Sequence, residues 1–291
     1  MGFRTVVIKN RCKLEYSLNY LVIRNQEGEQ KIHISEIEAI ILQSTQISIT
    51  TALIANILEN HINIMICDEK SNPVGEILSY NGIYDSYDKI NAQFSISEDS
   101  KDKCWKEIIS KKIYNQCRVH EKYSKNEDVT NLIKDYLTAV TDGDKTNREG
   151  HSAKVYFNSL FGKDFSRDQK NEINMYLDYG YTIILSCFNR AIKSIGYYIE
   201  LGIHHIGRTN PFNLSCDFME PLRPLVDSMI LSKQVNPDNY KREFVNILNK
   251  TVICDDKEMY LENAVKIYCK SIFASLINDK PSDIKFISYD I

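Results

Sequence analysis

The chain has 291 residues, of which 43% are hydrophobic and 26% are charged, so it carries enough apolar side chains for one or two folded cores and is not a disordered protein. Its formal net charge of -3 at pH 7 gives no global basic surplus of the kind that nucleic-acid-binding proteins commonly have. Any nucleic-acid contact must therefore depend on local clusters of Lys and Arg, on a metal ion or on a partner protein.

Eight cysteines are scattered singly, and no two of them have C-x-x-C spacing. This pattern indicates neither a zinc knuckle nor a disulfide framework, and it predicts reduced, mostly buried thiols. No uninterrupted apolar stretch approaches the roughly 18 residues needed to cross a bilayer, and the first residues do not have the features of a cleaved leader. We therefore expect a cytoplasmic protein without a membrane partner.

Short β-rich runs alternate with turn-like breaks over residues 3–80, which predicts a small antiparallel sheet or sandwich. The runs are FRTVVIK, LNYLVIRN, KIHISEIEAIIL, INIMICD and PVGEILSY. Between them, ITTALIANILENH has apolar residues at helical spacing behind a Thr pair that is able to cap a helix. One short helix is therefore expected within the β-rich region.

After about residue 86 the apolar residues recur every three or four positions, which predicts a helical region. The predicted helices lie in KCWKEIISKKIYNQCRVHEKY, VTNLIKDYLTAV, NEINMYLDYGYTIILSCFNRAIKSIG, NLSCDFMEPLRPLVDSMILSK, DNYKREFVNILN and KEMYLENAVKIYCKSIFASLIND. Strands followed by helices, without βαβ alternation, predict the α+β class. We expect a β-rich, sandwich-like domain over residues 1–85 and a larger all-α domain over residues 86–291.

Reactive side chains are densest in residues 202–227, GIHHIGRTNPFNLSCDFMEPLRPLVD. A helix that opens at Asn213 or Ser215 would place Asp217 and Glu220 on one face, close to an imidazole of the preceding loop. Two carboxylates and one imidazole form a site that suits Mg²⁺ or Mn²⁺ and accepts phosphate oxygens. The equally open alternative is that the carboxylates stabilise a helix N-terminus and that the histidine has an ordinary buried position.

Glu149 in TNREGHSAKVYF is the second candidate. Thr146 followed three residues later by Glu149 forms the pattern of a capping box, so a purely structural role at a helix start is the simpler interpretation. A carboxylate at a helix start can also face a metal ion, so the two interpretations are compatible.

Three consecutive motifs, G-x-x-H-x-G, N-P-F-N-L and D-x-x-E-P-x-R-P-x-V-D, resemble the signature of the CRISPR-associated spacer-acquisition integrase family. The upstream segments R-E-G-x-x-A-K-x-Y-F and N-x-x-L-D-Y-G-Y-T-I-I-L resemble the same family in the same order, and the resemblance covers essentially the whole chain. The motif details are most similar to the type II form. The resemblance implies a metal-dependent DNA endonuclease and integrase that joins the 3′-hydroxyl ends of short DNA fragments to the repeat borders of a CRISPR array.

The resemblance also implies the site residues. Glu149, His205 and Glu220 fall on the family's catalytic metal ligands for Mg²⁺ or Mn²⁺, and Asp217 falls on a neighbouring acidic residue that supports the site. Because His204 and His205 are adjacent, the histidine ligand is assigned to His205 with His204 as the alternative.

Four cations lie within a few residues of these ligands and are predicted to bind DNA phosphates: Arg148, Lys154, Arg208 and Arg223. The resemblance implies a homodimer that works with the small "Cas two" partner on fragment and repeat DNA, with the effector nuclease and an accessory adaptation protein as further partners. It also implies that the β-rich domain provides dimerisation and assembly surfaces and that the helical domain binds metal and DNA. A non-catalytic DNA-holding scaffold subunit is the alternative function. A di-iron oxidase is a disfavoured alternative, because the chain has no paired E-x-x-H motifs.

Overall fold

A computed structural model of the protein describes residues 4–69, 73–77, 79 and 86–291. The chain divides into two compact units, Met1–Tyr84 and Asp85–Ile291. The first unit is rich in strands and the second is mostly helical, so the prediction of the α+β class is confirmed. None of the described helices is long and apolar enough to cross a membrane.

Two four-stranded sheets and one helix form the described part of the first unit. Their orders are β1-β5-β7-β8 and β4-β3-β2-β6. The elements are β1 (Arg4–Ile8), β2 (Cys12–Ser17), β3 (Tyr20–Asn25), β4 (Gly28–His33), β5 (Ile37–Leu42), β6 (Ile47–Ile49), α1 (Thr51–Glu59), β7 (Asn63–Cys67) and β8 (Pro73–Ile77). Part of the predicted run PVGEILSY, at residues 78 and 80, lies outside the described residues.

The expectation of a wholly antiparallel arrangement is wrong. Strand β5 pairs in parallel with both β1 and β7, and β2 pairs in parallel with β6. Parallel neighbours need long connections, and the chain supplies them, since the β2–β4 meander separates β1 from β5 and helix α1 separates β5 from β7. Such pairings depend on contacts between distant segments, which the local strand pattern does not record.

Apolar residues from both sheets and from α1 share one core. Leu14 and Leu21 come from one sheet, Ile40 and Ile64 from the other, and all four are completely buried beside Leu53 of the helix. The predicted helix and its cap are confirmed, since the Thr50 side chain accepts a hydrogen bond from the Leu53 amide at 3.4 Å. The first unit is therefore sandwich-like, as predicted.

The second unit contains nine described helices and one hairpin. The helices are α2 (Ser86–Phe94), α3 (Glu98–Tyr123), α4 (Glu127–Thr138), α5 (Arg148–Phe161), α6 (Glu172–Ser194), α7 (Asn213–Met219), α8 (Arg223–Leu231), α9 (Tyr240–Asn246) and α10 (Leu261–Asn278). The hairpin joins β9 (Thr251–Cys254) to β10 (Lys257–Tyr260), and Ser288 bridges to Ile253 of β9.

The hairpin corrects the all-α prediction for the second unit. Residues 257–260, which the apolar spacing assigns to the start of a helix, are strand β10, and α10 begins only at Leu261. The turn between the strands is made by Asp255 and Asp256, which have φ angles of 54° and 57°. Two consecutive residues with positive φ match the twist of a two-residue hairpin. The sequence obscures this turn because neither residue is Gly or Asn.

The segment predicted as one helix over residues 213–233 is broken in the middle. Helix α7 ends at Met219, a 3₁₀ turn covers Glu220–Leu222, and α8 begins at Arg223. Pro221 and Pro224 explain the break, because a proline has no amide hydrogen for the helical ladder and clashes with the preceding turn. The break places Glu220 at the joint between two helices rather than on the face of one.

Candidate active site

A buried lysine on α3 joins two of the predicted site residues. The Lys112 side chain is only 8% exposed, and its Nζ lies 2.6 Å from Oε1 of Glu149 and 2.5 Å from Oε2 of Glu220. Glu149 is in the first turn of α5, and Glu220 opens the 3₁₀ turn after α7. Residues far apart in the sequence thus place two carboxylates around one cation.

The start of α5 is built so that the Glu149 side chain is not needed as a cap. Asp144 accepts hydrogen bonds from the amides of Arg148 and Glu149 at 2.8 and 2.9 Å, and the Asn147 side chain accepts one from the Gly150 amide at 3.1 Å. The capping-box interpretation with Thr146 as the cap is therefore wrong, since Asn147 is the N-cap residue. The Glu149 carboxylate is left to contact Lys112.

Glu220 is held from several sides. Its side chain is 3% exposed, and Nε of Arg223 donates to its Oε1 at 2.9 Å. The carbonyl of the next residue, Pro221, accepts hydrogen bonds from Asn115 Nδ2 at 2.8 Å and from the Tyr289 hydroxyl at 2.9 Å. These contacts fix the backbone of the 3₁₀ turn and leave the carboxylate little freedom to rotate.

The charges of this cluster stabilise one another. Burial disfavours the charged form of Glu220, but the cations of Arg223 and Lys112 outweigh it and hold the pKa of this carboxyl well below its usual range. Burial also disfavours the charged form of Lys112, and the carboxylates of Glu149 and Glu220 outweigh it, so the pKa of Lys112 is raised. Both groups are therefore charged at neutral pH.

The loop before α7 is folded around Asp217. This side chain is completely buried and accepts hydrogen bonds from the backbone amides of Ile203, His204 and His205 at 2.7, 3.1 and 3.1 Å. Nδ1 of His205 lies 2.5 Å from Oδ1 of the same carboxylate. The expectation that Asp217 and Glu220 converge from one helix face is wrong, because Asp217 faces the loop and organises it.

His205 differs from its neighbour in its contacts. The hydrogen bond to Asp217 raises the pKa of His205, and burial lowers it by less. The nearby charges of Glu220 and Glu149 raise the pKa slightly further. With Nδ1 engaged, Nε2 is the ring nitrogen left for another partner. The His204 ring instead stacks on Trp105, with centroids 4.2 Å apart and planes 6° apart. The geometry thus favours His205 over His204 as a ligand.

The three predicted ligands are not assembled around a single point. Within the described part of the chain, no group of three or more His, Cys, Asp or Glu side chains is close enough to hold a metal ion. The Lys112 ammonium lies between two of the three residues. Oε2 of Glu220 is buried and is paired with Nζ of Lys112, so a metal ion at this oxygen would have to replace the ammonium.

A cavity of about 590 Å³ lies beside His205. Its lining combines the loop of His205 and Arg208 with Phe94 of α2, Lys101 of α3 and Phe273 of α10. Arg208 is exposed in this lining, and Lys154 is exposed on α5, outside the lining of the cavity. Two of the four predicted phosphate-binding cations are therefore accessible to a ligand, one of them next to the histidine.

The other two predicted cations are engaged within the protein. Arg223 is paired with Glu220, and its guanidinium also lies over the Tyr181 ring, 4.7 Å from the centroid. Arg148 is half-buried, and its Nε donates to Thr146 Oγ1 at 3.1 Å. For all four cations, DNA binding stays a prediction.

A further buried carboxylate lies on α8, the helix that begins at Arg223. Asp227 of α8 accepts hydrogen bonds from the hydroxyls of Tyr156 at 2.9 Å and Tyr181 at 2.6 Å. Burial raises the pKa of Asp227 to about 6, although both hydrogen bonds act to lower it. Asp227 therefore connects α8 to α5 and α6 inside the unit and is not accessible to a ligand.

The order of the motifs along this fold is that of a known family. The model of the family described as "CRISPR associated protein Cas1" matches residues 5–260. The chain belongs to the Cas1 family. A curated relative, the "CRISPR-associated endonuclease Cas1" of Neisseria meningitidis serogroup C (strain 8013), is 32% identical over 231 residues, which is 79% of this chain and 76% of the relative.

Solved structures share the Cas1 fold seen here. A "Casposase bound to integration product" superposes with a TM-score of 0.74 at 20% identity, covering 96% of this chain and 92% of the casposase chain. A "Cas6-RT-Cas1--Cas2 complex" superposes with a TM-score of 0.75 at 20% identity and covers 97% of this chain. This Cas1-family chain spans 36% of that longer chain.

Sequence reasoning missed the residues of α3 that complete the site of this Cas1-family protein. Trp105, Lys112, Asn115 and Gln116 are all buried, and each contacts a residue of the site or of the helix that carries Glu149. The sequence did contain a sign of these contacts, because polar residues occur at helix positions that the apolar spacing assigns to the core. Lys112, for example, lies between the buried Ile109 and Ile113. Polar residues at core positions are informative because burying them without partners is costly.

Proposed function

We propose that this Cas1-family protein is the integrase of a CRISPR adaptation system. It would join the 3′-hydroxyl ends of short DNA fragments to the repeat borders of the array by metal-dependent transesterification. One observation carries the proposal: two glutamates from separate helical segments share one buried cation, next to an oriented imidazole. The name of the Neisseria relative, an endonuclease, and the casposase bound to an integration product support the same chemistry.

We propose Glu149, His205 and Glu220 as the ligands of Mg²⁺ or Mn²⁺. The donors fit such an ion in kind, since two carboxylates already accommodate a cation and His205 has Nε2 uncommitted. When bound, a divalent cation would polarise the scissile phosphodiester and stabilise the charge that develops in the transition state. The chain itself supplies orientation: Asp217 fixes the imidazole ring, and Arg223 fixes the carboxylate of Glu220.

We assign the phosphate contacts of the DNA to Arg208, Lys154 and Arg148, and in a smaller part to Arg223. Arg208 is exposed in the cavity wall beside His205, so it is the best placed of the four to hold a phosphate near the reacting end. Arg223 has a second task, because it is paired with Glu220. These local cations offset a chain whose net charge is -3.

The proposed working assembly is a homodimer that acts on double-stranded fragment and repeat DNA with the small Cas2 partner, in the cytoplasm. The similarity to a chain of the Cas6-RT-Cas1--Cas2 complex, which includes Cas2 by name, supports this partner. We further propose that the protein is of the type II form, that the effector nuclease and an accessory protein join it, and that residues 1–85 serve dimerisation and assembly while residues 86–291 carry the chemistry.

The alternative function is a non-catalytic subunit that holds DNA within the same adaptation complex. The observation in its favour is that Lys112 fills the space between Glu149 and Glu220, so that no three described ligands meet. The two functions differ in one property, which is metal-dependent strand transfer.

The test uses a labelled branched DNA that mimics the half-integrated product, with Mn²⁺, Mg²⁺ or EDTA. We expect the protein to resolve the branch with either metal and not with EDTA, and we expect Glu149→Gln, Glu220→Gln and His205→Ala to bind the branch without resolving it. Glu127→Gln is the matched control, because Glu127 also lies in the first turn of a helix but is exposed. Branch binding without strand transfer under every metal would favour the scaffold.

A further inference from the structure

The position of Lys112 needs an explanation beyond the proposed ligand set. A lysine is rarely fully buried unless it is paired, and Lys112 is paired with two carboxylates at once. With Arg223 on the other oxygen of Glu220, the cluster holds two negative and two positive side chains. The charges of these four side chains therefore sum to zero, and this balance depends on Lys112.

A divalent cation would disturb this balance. If it joined the cluster while Lys112 stayed, four positive charges would face two carboxylates in a buried space, which is unfavourable where screening by water is weak. Departure of the ammonium removes one of those charges and frees both carboxylates. A lysine is suited to leave, because its charge is at the end of a flexible four-carbon chain.

We propose, on the basis of the proposed metal site, that Lys112 is the resident cation of the metal-free protein and that a divalent cation binds by displacing it. Lys112 holds Glu149 and Glu220 together before the metal arrives, so repulsion between the carboxylates does not push them apart. Metal affinity is correspondingly weakened, because each binding event must break both ion pairs. Lys112 is thus a positioning residue that sets the metal affinity of the site.

The test is Lys112→Met, which keeps an unbranched side chain of similar length and removes the charged end. We expect Mn²⁺ to bind about tenfold more tightly or better, because the ion no longer competes with the ammonium. We expect the melting temperature of the metal-free variant to fall by roughly 5 °C or more, because two buried carboxylates lose their shared cation. Added Mn²⁺ should restore more of the melting temperature in the variant than it adds to the native protein.

Metal binding can be followed without any DNA reaction. Trp105 is the single tryptophan of the chain, and its ring is stacked on His204 and lies edge-on to His205, with centroids 5.9 Å apart. Its fluorescence should therefore change as Mn²⁺ binds, and isothermal titration calorimetry gives an independent dissociation constant. Lys111→Met is the matched control, because Lys111 is adjacent in α3 and lies over the Tyr114 ring instead of the carboxylates.

A double variant keeps the test decisive if Lys112→Met folds poorly. Lys112→Met with Glu149→Gln removes one charge of each sign, so we expect metal-free stability to return toward the native value while Mn²⁺ binding is lost. Unchanged or weaker Mn²⁺ binding by Lys112→Met, with native binding intact, would overturn the displacement of Lys112 and leave the proposed function standing. Absence of Mn²⁺ binding in both the native protein and Lys112→Met would overturn the metal site itself.

Discussion

Gly202 offers the sharpest test of how the histidine loop is built. A methyl group placed on its Cα would lie 2.1 Å from the carbonyl oxygen of His205 and 2.9 Å from Oδ2 of Asp217. The first contact is with backbone and cannot be relieved by rotating a side chain. Gly202→Ala therefore has to push the chain at His205 away from its present position, which disturbs the amides that Asp217 binds.

The cost can be worked from these contacts. Overpacking of a well-packed site typically costs about 1–3 kcal/mol, and weakening the hydrogen bonds to a buried carboxylate adds about 1.5–3 kcal/mol for each bond that is lost. If one bond is lost, the second unit is destabilised by roughly 2.5–6 kcal/mol, which corresponds to a fall in melting temperature of roughly 5–24 °C for a unit of this size.

The matched control lies five residues further along the same loop. A methyl group on Gly207 would meet its nearest atoms at 3.5 Å, which is ordinary van der Waals contact. Thermal unfolding of Gly202→Ala, Gly207→Ala and the native protein compares them directly. A Gly202→Ala protein that melts within about 2 °C of native and keeps native metal binding would refute the geometry of the loop.

Three further predictions concern buried charges. Asp217→Asn should lower stability by about 3–5 kcal/mol in urea unfolding, because an amide group then faces the loop amides, and it should weaken Mn²⁺ binding by releasing His205. Arg190→Met should cost a similar amount by leaving Glu262, 2.6 Å from the guanidinium, as a buried charge, and a double variant with Glu262→Gln should recover part of it. Burial raises the pKa of Asp227 from 3.8 to about 6, so the folded protein binds a proton at this carboxyl more tightly than the unfolded chain does. The stability of the native protein relative to Asp227→Asn should therefore be highest below pH 3.8, fall as the pH rises through about 6 and then level off, as measured by urea unfolding across that range.

Local signals predicted the elements that local interactions determine. The helix over Thr51–Glu59 follows from its apolar spacing and the cap at Thr50, and it is found where it was expected. The parallel pairing of β5 with β1 and β7 was not predictable in this way, because it brings together segments that are about 34 and about 24 residues apart. The hairpin at Asp255 and Asp256 was missed because a pair of aspartates is not the usual sequence of a turn with two positive φ angles.

The sequence pointed to the acidic residues of the candidate site, whose role as ligands stays a prediction, and it did not reveal their partners. Motif resemblance pointed to Glu149, His205 and Glu220. The local pattern around Glu149 alone favoured a capping box with Thr146, whereas in the structure Asn147 is the N-cap residue. The role of Lys112 was not predicted, because a lysine within a helical pattern normally lies at the surface. Only the packing of α3 against the two glutamates shows that it is the shared partner.

The most direct test of the integrase function compares strand transfer on two branched DNAs that differ only in the 3′ oxygen of the attacking strand. The native protein and Mn²⁺ are given two substrates, one whose attacking end carries a 3′-hydroxyl and one whose attacking end is 3′-deoxy. We expect the rejoined strand to form only from the 3′-hydroxyl substrate, and we expect Glu220→Gln to abolish it. Cleavage of both substrates at equal rates, without rejoining, would show hydrolysis by water and would contradict the integrase assignment.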